Sequence, residues 1–237
     1  SVLTFFTPVN AEVKVVTSIK PLHSLASYLM DGVAKPDLIV DGYASPHGFS
    51  MKPSHAKMLQ NADLIFWVGE GMENFLEKPL NSIAKKAEKI ELMEIKGLQV
   101  LKFRERNIFD EHDHDDHDDH AKKEDDHDDH DHDDHEKKEE HDDHDDHEGH
   151  NHGEYDAHIW LDPINAKVIL FEMSKHLIEL DAKNESVYRD NLSKAYNEID
   201  KLTKDVTAEL DQSVASIVFH DAYQYFEKRF NVNILGA

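Results

Sequence analysis

Histidine is the residue type that most invites a chemical reading of this chain. Nineteen imidazoles occur in 237 residues, and cysteine is absent. Imidazole exchanges protons near neutral pH and ligates Zn2+, Cu2+ and Ni2+. Without cysteine there are no thiolate metal sites, thiol nucleophiles or disulfides in the sequence shown. Thirteen of the histidines crowd one segment: His112, His114, His117, His120, His127, His130, His132, His135, His141, His144, His147, His150 and His152. They fall mainly in three blocks, HDHDDHDDH (112–120), HDDHDHDDH (127–135) and HDDHDDH (141–147), spaced by short Lys/Glu runs. The flanking carboxylates concentrate cations and add oxygen ligands, so the pattern reads as several interchangeable, accessory metal sites. Carboxylates also stabilise imidazolium, so zinc capture there should weaken below about pH 6, where protons compete. The plainer alternative is a solvated acidic linker, but solvation alone needs no imidazole.

Six histidines lie elsewhere: His23, His47, His55, His158, His176 and His220. Those at positions 23, 55 and 176 fall within predicted helices and read as surface or packing residues. The other three fall at the ends of predicted elements. His47 sits in the loop Asp41-Gly-Tyr-Ala-Ser-Pro-His-Gly after an apolar run ending at Val40. His220 directly follows the apolar stretch from Ser216 to Phe219, at the carboxyl end of a predicted strand. Ligands of open α/β sheets bind beyond the carboxyl ends of strands. His158 precedes Ile-Trp-Leu-Asp-Pro, where the acidic segment returns to patterned sequence. Each of the three, taken singly, can be structural or a ligand.

The elements that must position these residues alternate in type. Val13–Thr17 is a β-branched run, and Pro21 suits the first turn of a helix reaching Met30. Asp37–Val40 is the next apolar run. Pro53 opens a helix to Asn61, and Leu64–Val68 (LIFWV) reads as a buried strand. Met72–Leu80 is predicted helical, and residues 91–103 are predicted to hold one or two strands. Asp162-Pro163 opens a helix to Leu180. A second helix runs from Asn184, its predicted N-cap, to Gln212, with a stripe at Val187, Tyr188, Leu192, Tyr196, Ile199, Leu202, Val206 and Leu210. At 1.5 Å per residue it spans about 42 Å, enough to brace two lobes. A strand over 216–219 and a helix over 221–230 restart the βα pattern, and Asn231–Ala237 reads as strand and turn. The expected fold is therefore α/β, with mostly parallel sheets flanked by helices. In domain terms, residues 1–11 read as a signal-peptide remnant ending in small and polar residues, with an edge strand as the alternative. Residues 12–183 form an N-terminal α/β lobe carrying the 110–154 insert, 184–212 a linking helix, and 213–237 the start of an incomplete C-terminal lobe.

Charge sharpens this division. The formal charge is -24, yet residues 110–154 alone carry 24 acids against 4 lysines. The other 192 residues hold 26 acids and 22 bases. The insert has a single hydrophobic residue, Ala121, so the remainder is about 47% hydrophobic, as globular domains are. A segment with so little to bury is predicted to be disordered. No apolar run approaches the roughly 20 residues of a membrane helix. An acidic surface without basic patches argues against nucleic acid as a partner.

The segments SPHGFSMKPSHAKMLQNADLIFWVGEGMENF (45–75), HIWLDPINA (158–166) and VFHDAYQYFEKRF (218–230) together resemble the metal-binding solute receptors of ABC importers, specifically the periplasmic zinc receptors of high-affinity zinc importers. The likeness extends over the chain apart from the insert and the first 11 residues. It implies a two-lobed receptor whose lobes are joined by one long helix, with His47, His158 and His220 as zinc ligands in the cleft. It further implies that the histidine at position 220, where manganese receptors usually carry Glu, selects zinc. An acidic, histidine-rich insert before the second motif is typical of the zinc branch. Where some relatives have Glu before the first histidine, this chain has Pro46. Implied with the family are a membrane permease partner, secretion by a signal peptide to the periplasm, a monomeric state, and binding without catalysis. Two rival readings stay open on residues alone. One is a zinc buffer working through the insert. The other is a zinc hydrolase with Glu154 or Asp221 as general base, although neither lies in a motif such as HExxH.

Overall fold

The structure, a computed structural model, describes residues 12–104 and 154–236. The expected signal remnant and the histidine-rich insert lie outside these residues. Four strands, β1 (Val15–Thr17), β2 (Asp37–Leu38), β3 (Leu64–Trp67) and β4 (Glu88–Glu91), form a wholly parallel sheet in the order β2-β1-β3-β4. Every residue of the two inner strands is buried. That burial on both faces is why VVT and LIFW are continuous apolar or β-branched runs rather than alternating ones. Parallel neighbours need crossovers. Helices α1 (Lys20–Leu29), α2 (Pro53–Asn61) and α3 (Glu70–Ser82) provide them.

Proline sets three helix starts, at Pro21, Pro53 and Pro163, where its missing N–H costs nothing. Helix α4 (Pro163–Leu180) is capped by Asp162, whose Oδ1 accepts from Ile164 N at 2.9 Å. Helix α5 (Glu185–Glu209) packs along α4 and α1. Asn184 stands at its N-cap position, as expected, but its side chain makes no cap hydrogen bond. Its amide instead donates to Asp181 Oδ2 at 2.8 Å, an oxygen that also accepts from the Tyr188 hydroxyl. The stripe on α5 is packed only in its first half. Tyr188, Leu192, Tyr196 and Ile199 join the core, whereas Leu202 is exposed. The reason is geometric: Tyr196 and Asp200 already contact Lys167 in the first turns of α4, so α5 outruns its partner beyond that level.

The strands predicted within 91–103 do not form. β4 ends at Glu91, a 3-10 turn follows (Leu92–Glu94), and the chain then runs irregularly, apart from one bridge between Lys102 and Tyr155. Side chains replace the ladder there. Gln99 exchanges both backbone bonds with the Asn165 amide, and Leu101 N donates to Tyr225 Oη. The last elements are β5 (Ala215–Ile217), α6 (Gln224–Phe230) and β6 (Asn233–Gly236), with β5 and β6 paired in parallel as a second sheet. The buried strand expected over 216–219 is one residue earlier and exposed. Ile217 is 70% accessible and Phe219 fully so, because β5 has only β6 as a sheet neighbour among the described residues.

Several contacts hold this last unit against the rest, among them the pairs of Arg104 with Asp221 and Glu227. The buried Tyr225 hydroxyl donates to Asp156 O at 2.7 Å, and Arg229 grips Asp162 through Nε at 2.8 Å and Nη2 at 2.7 Å. Asp162 therefore serves as helix cap and as ion-pair partner at once.

Candidate metal centre

Three turns of chain that leave the carboxyl ends of strands, or enter α4, carry His47, His158 and His220 to one place. His47 rides the loop after β2, on a 3-10 turn (Pro46–Gly48) that Ser45 starts by accepting the His47 N–H at 3.3 Å. His158 immediately precedes the 3-10 turn Ile159–Leu161 that leads to the Asp162 cap of α4. His220 stands three residues beyond β5, its carbonyl accepting from Ala222 N at 2.8 Å. The ring centroids are 6.1 Å apart for His47 and His158, 5.8 Å for His47 and His220, and 5.3 Å for His158 and His220. One nitrogen from each lies within 4.8 Å of the other two. Tetrahedral zinc with nitrogens at about 2.0–2.1 Å needs N···N separations of roughly 3.3 Å, so a contraction of about 1.5 Å or less closes the set.

The environment is graded. His158 is buried, His47 half-buried and His220 exposed, so the site has a floor and a mouth. It opens into a cavity of about 460 Å3 whose walls include Ile19, Val40, Tyr43, Trp160 and Phe219. The floor is oriented by a residue not singled out from sequence. Asp156 is 1% exposed, and its Oδ1 accepts from both the backbone N (2.9 Å) and the Nδ1 (2.7 Å) of His158. A carboxylate accepts only, so Nδ1 carries the proton, and in the neutral ring Nε2 keeps the lone pair. That is the usual support for a metal-bound imidazole. The spacing Asp-Ala-His was the available signal, since a carboxylate two residues upstream can bond both groups.

The remaining histidines go elsewhere. His23 on α1 meets Pro36 O through Nε2 at 3.1 Å. His55 on α2 accepts from Lys52 N through Nδ1 at 3.1 Å and packs its ring on Phe49. His176 on α4 lies among carboxylates. The two candidate general bases are also committed: Glu154 pairs with Lys102, and Asp221 with Arg104 at 3.0 Å. Among the described residues, the cluster that holds His47 contains imidazoles and no carboxylate. The accessory histidines from His112 to His152 lie outside the described residues.

A parallel α/β sheet with imidazoles converging beyond its strand ends is the arrangement of a protein whose side chains could hold a divalent metal. The chain belongs to the family described as zinc-uptake complex component A, periplasmic, whose sequence model matches residues 15–237. It is 52% identical over 226 residues to the high-affinity zinc uptake system protein ZnuA of Brucella abortus (strain 2308), an alignment covering 94% of this chain and 66% of that protein. It is 35% identical over 239 residues to the protein of the same name from Yersinia pestis, covering 100% and 69%. The chain thus spans just under two thirds of the Brucella relative. In fold it is similar to a crystal structure of ZnuA, with a TM-score of 0.66 and 20% identity over 94% of this chain and 70% of that one. It is also similar to the Zn(II)-bound ZnuA-like domain of AdcA from Streptococcus pneumoniae, with a TM-score of 0.64 and 15% identity over 96% and 67%.

Proposed function

We propose that this chain is the zinc-capturing part of a periplasmic receptor that binds Zn2+ through His47, His158 and His220 and delivers it to the permease of an ABC importer. The observation that carries the reading is the convergence of three imidazoles from distant segments, one of them oriented by a buried carboxylate. Neutral imidazoles suit zinc better than the harder manganese, which favours carboxylate. The receptor acts without turnover. Glu154 and Asp221 are held in ion pairs rather than poised as bases. In this reading residues 12–183 form one lobe, 184–212 link, and 213–237 begin a second. The chain acts as a monomer, is secreted by a signal peptide, and gathers zinc with its acidic histidine segment for the cleft.

Calorimetry on a chain lacking residues 111–152 tests this. One tight zinc per chain should survive, and His220→Ala should weaken it at least 100-fold more than His55→Ala. Loss of tight binding on deletion would favour a buffer working through the insert. Tighter Mn2+ than Zn2+ would overturn the selectivity assigned to His220, and chelator-sensitive ester hydrolysis would revive the enzyme reading.

A further inference from the structure

A second group of ligating side chains gathers far from the cleft. Glu172, His176 and Glu179 lie on one face of α4, at spacings of four and three residues, and Glu88 joins them from the first residue of β4. At 1.5 Å per residue His176 is roughly 20 Å along α4 from the helix start that follows His158. The group therefore shares no residue with the three-histidine site.

The imidazole is placed as a ligand would be. His176 is only 8% exposed, and its Nε2 lies 3.0 Å from Glu172 Oε1. A carboxylate accepts, so Nε2 donates to it, and in the neutral ring Nδ1 carries the lone pair. Nδ1 is buried and makes no hydrogen bond. It faces Glu88 Oε1 at 2.8 Å, without the alignment of a hydrogen bond, and Glu179 Oε2 at 3.7 Å. One buried nitrogen and two carboxylates thus converge on one point, where a cation, either a proton on Nδ1 or a metal ion, offsets the negative charge. The separations bracket the roughly 3.0–3.5 Å expected between ligands of one zinc ion.

We propose that Glu88, His176 and Glu179 form a second zinc site, with His176 Nδ1 and one oxygen from each carboxylate as ligands and Glu172 orienting the imidazole. Glu88 and Glu179 are partly exposed, with side-chain accessibilities of 38% and 55%, so water completes the coordination. Two half-solvated carboxylates and one nitrogen make it a weaker and less zinc-selective site than three imidazoles. A bound ion would tie the far half of α4 to the edge strand β4.

The test follows the imidazole nitrogens of His176 by long-range proton–nitrogen NMR in the full, metal-free chain titrated with Zn2+. Signals are assigned by their loss in His176→Gln. The Nδ1 resonance should shift on zinc addition. In Glu88→Gln/Glu179→Gln, which keeps the imidazole and its Glu172 partner, at least tenfold more zinc should be needed. An Nδ1 signal unmoved by saturating zinc, or moving at the same zinc concentration in the double variant, would overturn the proposal. Because the signal belongs to His176, its response is independent of whether His47, His158 and His220 bind.

Discussion

Asp156 stands behind a candidate metal ligand and would not itself touch the ion. Its carboxylate fixes the tautomer and tilt of His158, while its carbonyl accepts from Tyr225. Outer partners of this kind are worth about 10- to 100-fold in metal affinity. Asp156→Ala should therefore weaken Zn2+ by that amount in calorimetry while leaving one zinc per chain. The three cleft histidines were legible in sequence because each stands at the end of an element. Asp156 was legible only with hindsight, and the setting of His176 was not, since its partner Glu88 comes from a strand 88 residues earlier. Glu73 was likewise hidden. It is wholly buried at the start of α3, accepting from Ser18 Oγ, Val68 N at 3.2 Å and Gly69 N at 3.1 Å. Gly69 is needed there, since its φ is +150° and a Cβ would meet Glu91 Oε1 at 2.7 Å. Burial outweighs the three hydrogen bonds and pushes the Glu73 carboxyl up from 4.5 to about 7. The folded state then holds a proton that the unfolded chain has released. Its contribution is complete below about pH 4.5 and is lost as pH rises to about 7, on the order of 3 kcal/mol in all. Denaturant titrations of metal-free protein across that window should show this fall, and Glu73→Gln should remove it.

Among the elements, the helices matched their sequence signals best. Pro53–Asn61 and Pro163–Leu180 have the expected bounds because proline and, for α4, the Asp162 cap mark their starts. Residues 91–103 were misread because β-branched and apolar residues mark burial as readily as pairing. Ile95, Leu98 and Leu101 pack against the core, but the backbone bonds of Gln99 go to the Asn165 side chain and the Leu101 N–H to Tyr225, both far away in sequence. The exposure of β5 was equally illegible, since an apolar strand does not announce whether anything covers it. The element that places His220 is held by the Tyr225 hydroxyl, by the pairs of Arg104 with Asp221 and Glu227, and by one bidentate ion pair. Arg229 clasps Asp162, which is itself 4% exposed. Arg229→Ala would leave that carboxylate unpaired near the core, at a cost of about 3 kcal/mol. By loosening α6, the same change should lower zinc affinity without altering any histidine. Urea denaturation and calorimetry on one variant read both effects, and an unchanged affinity would mean that β5, Tyr225 and the Arg104 pairs suffice to position His220.

At the scale of the whole chain, charge and ligand placement act on different steps of one process. His47, His158 and His220 come from three separated segments, so a zinc ion held among them staples the loop after β2, the start of α4 and the β5–α6 turn. Binding to the folded state alone adds stability of about 2.7 kcal/mol at a hundredfold excess over Kd and about 4.1 kcal/mol at a thousandfold. The charge concentrated between residues 110 and 154, a net of -20, contributes little to that equilibrium. Its expected effect is on encounter, because a dense negative field raises the local concentration of a dication and is screened within about 8 Å at physiological ionic strength. Affinity and capture rate should therefore separate. Stopped-flow zinc binding to the full chain should slow markedly between 10 and 300 mM salt, roughly tenfold or more. Removing residues 111–152 should bring the low-salt rate down to near the high-salt value while the thermal stabilisation by zinc remains. A salt dependence that survives the deletion would assign the steering to the folded body, whose 26 acids and 22 bases nearly cancel.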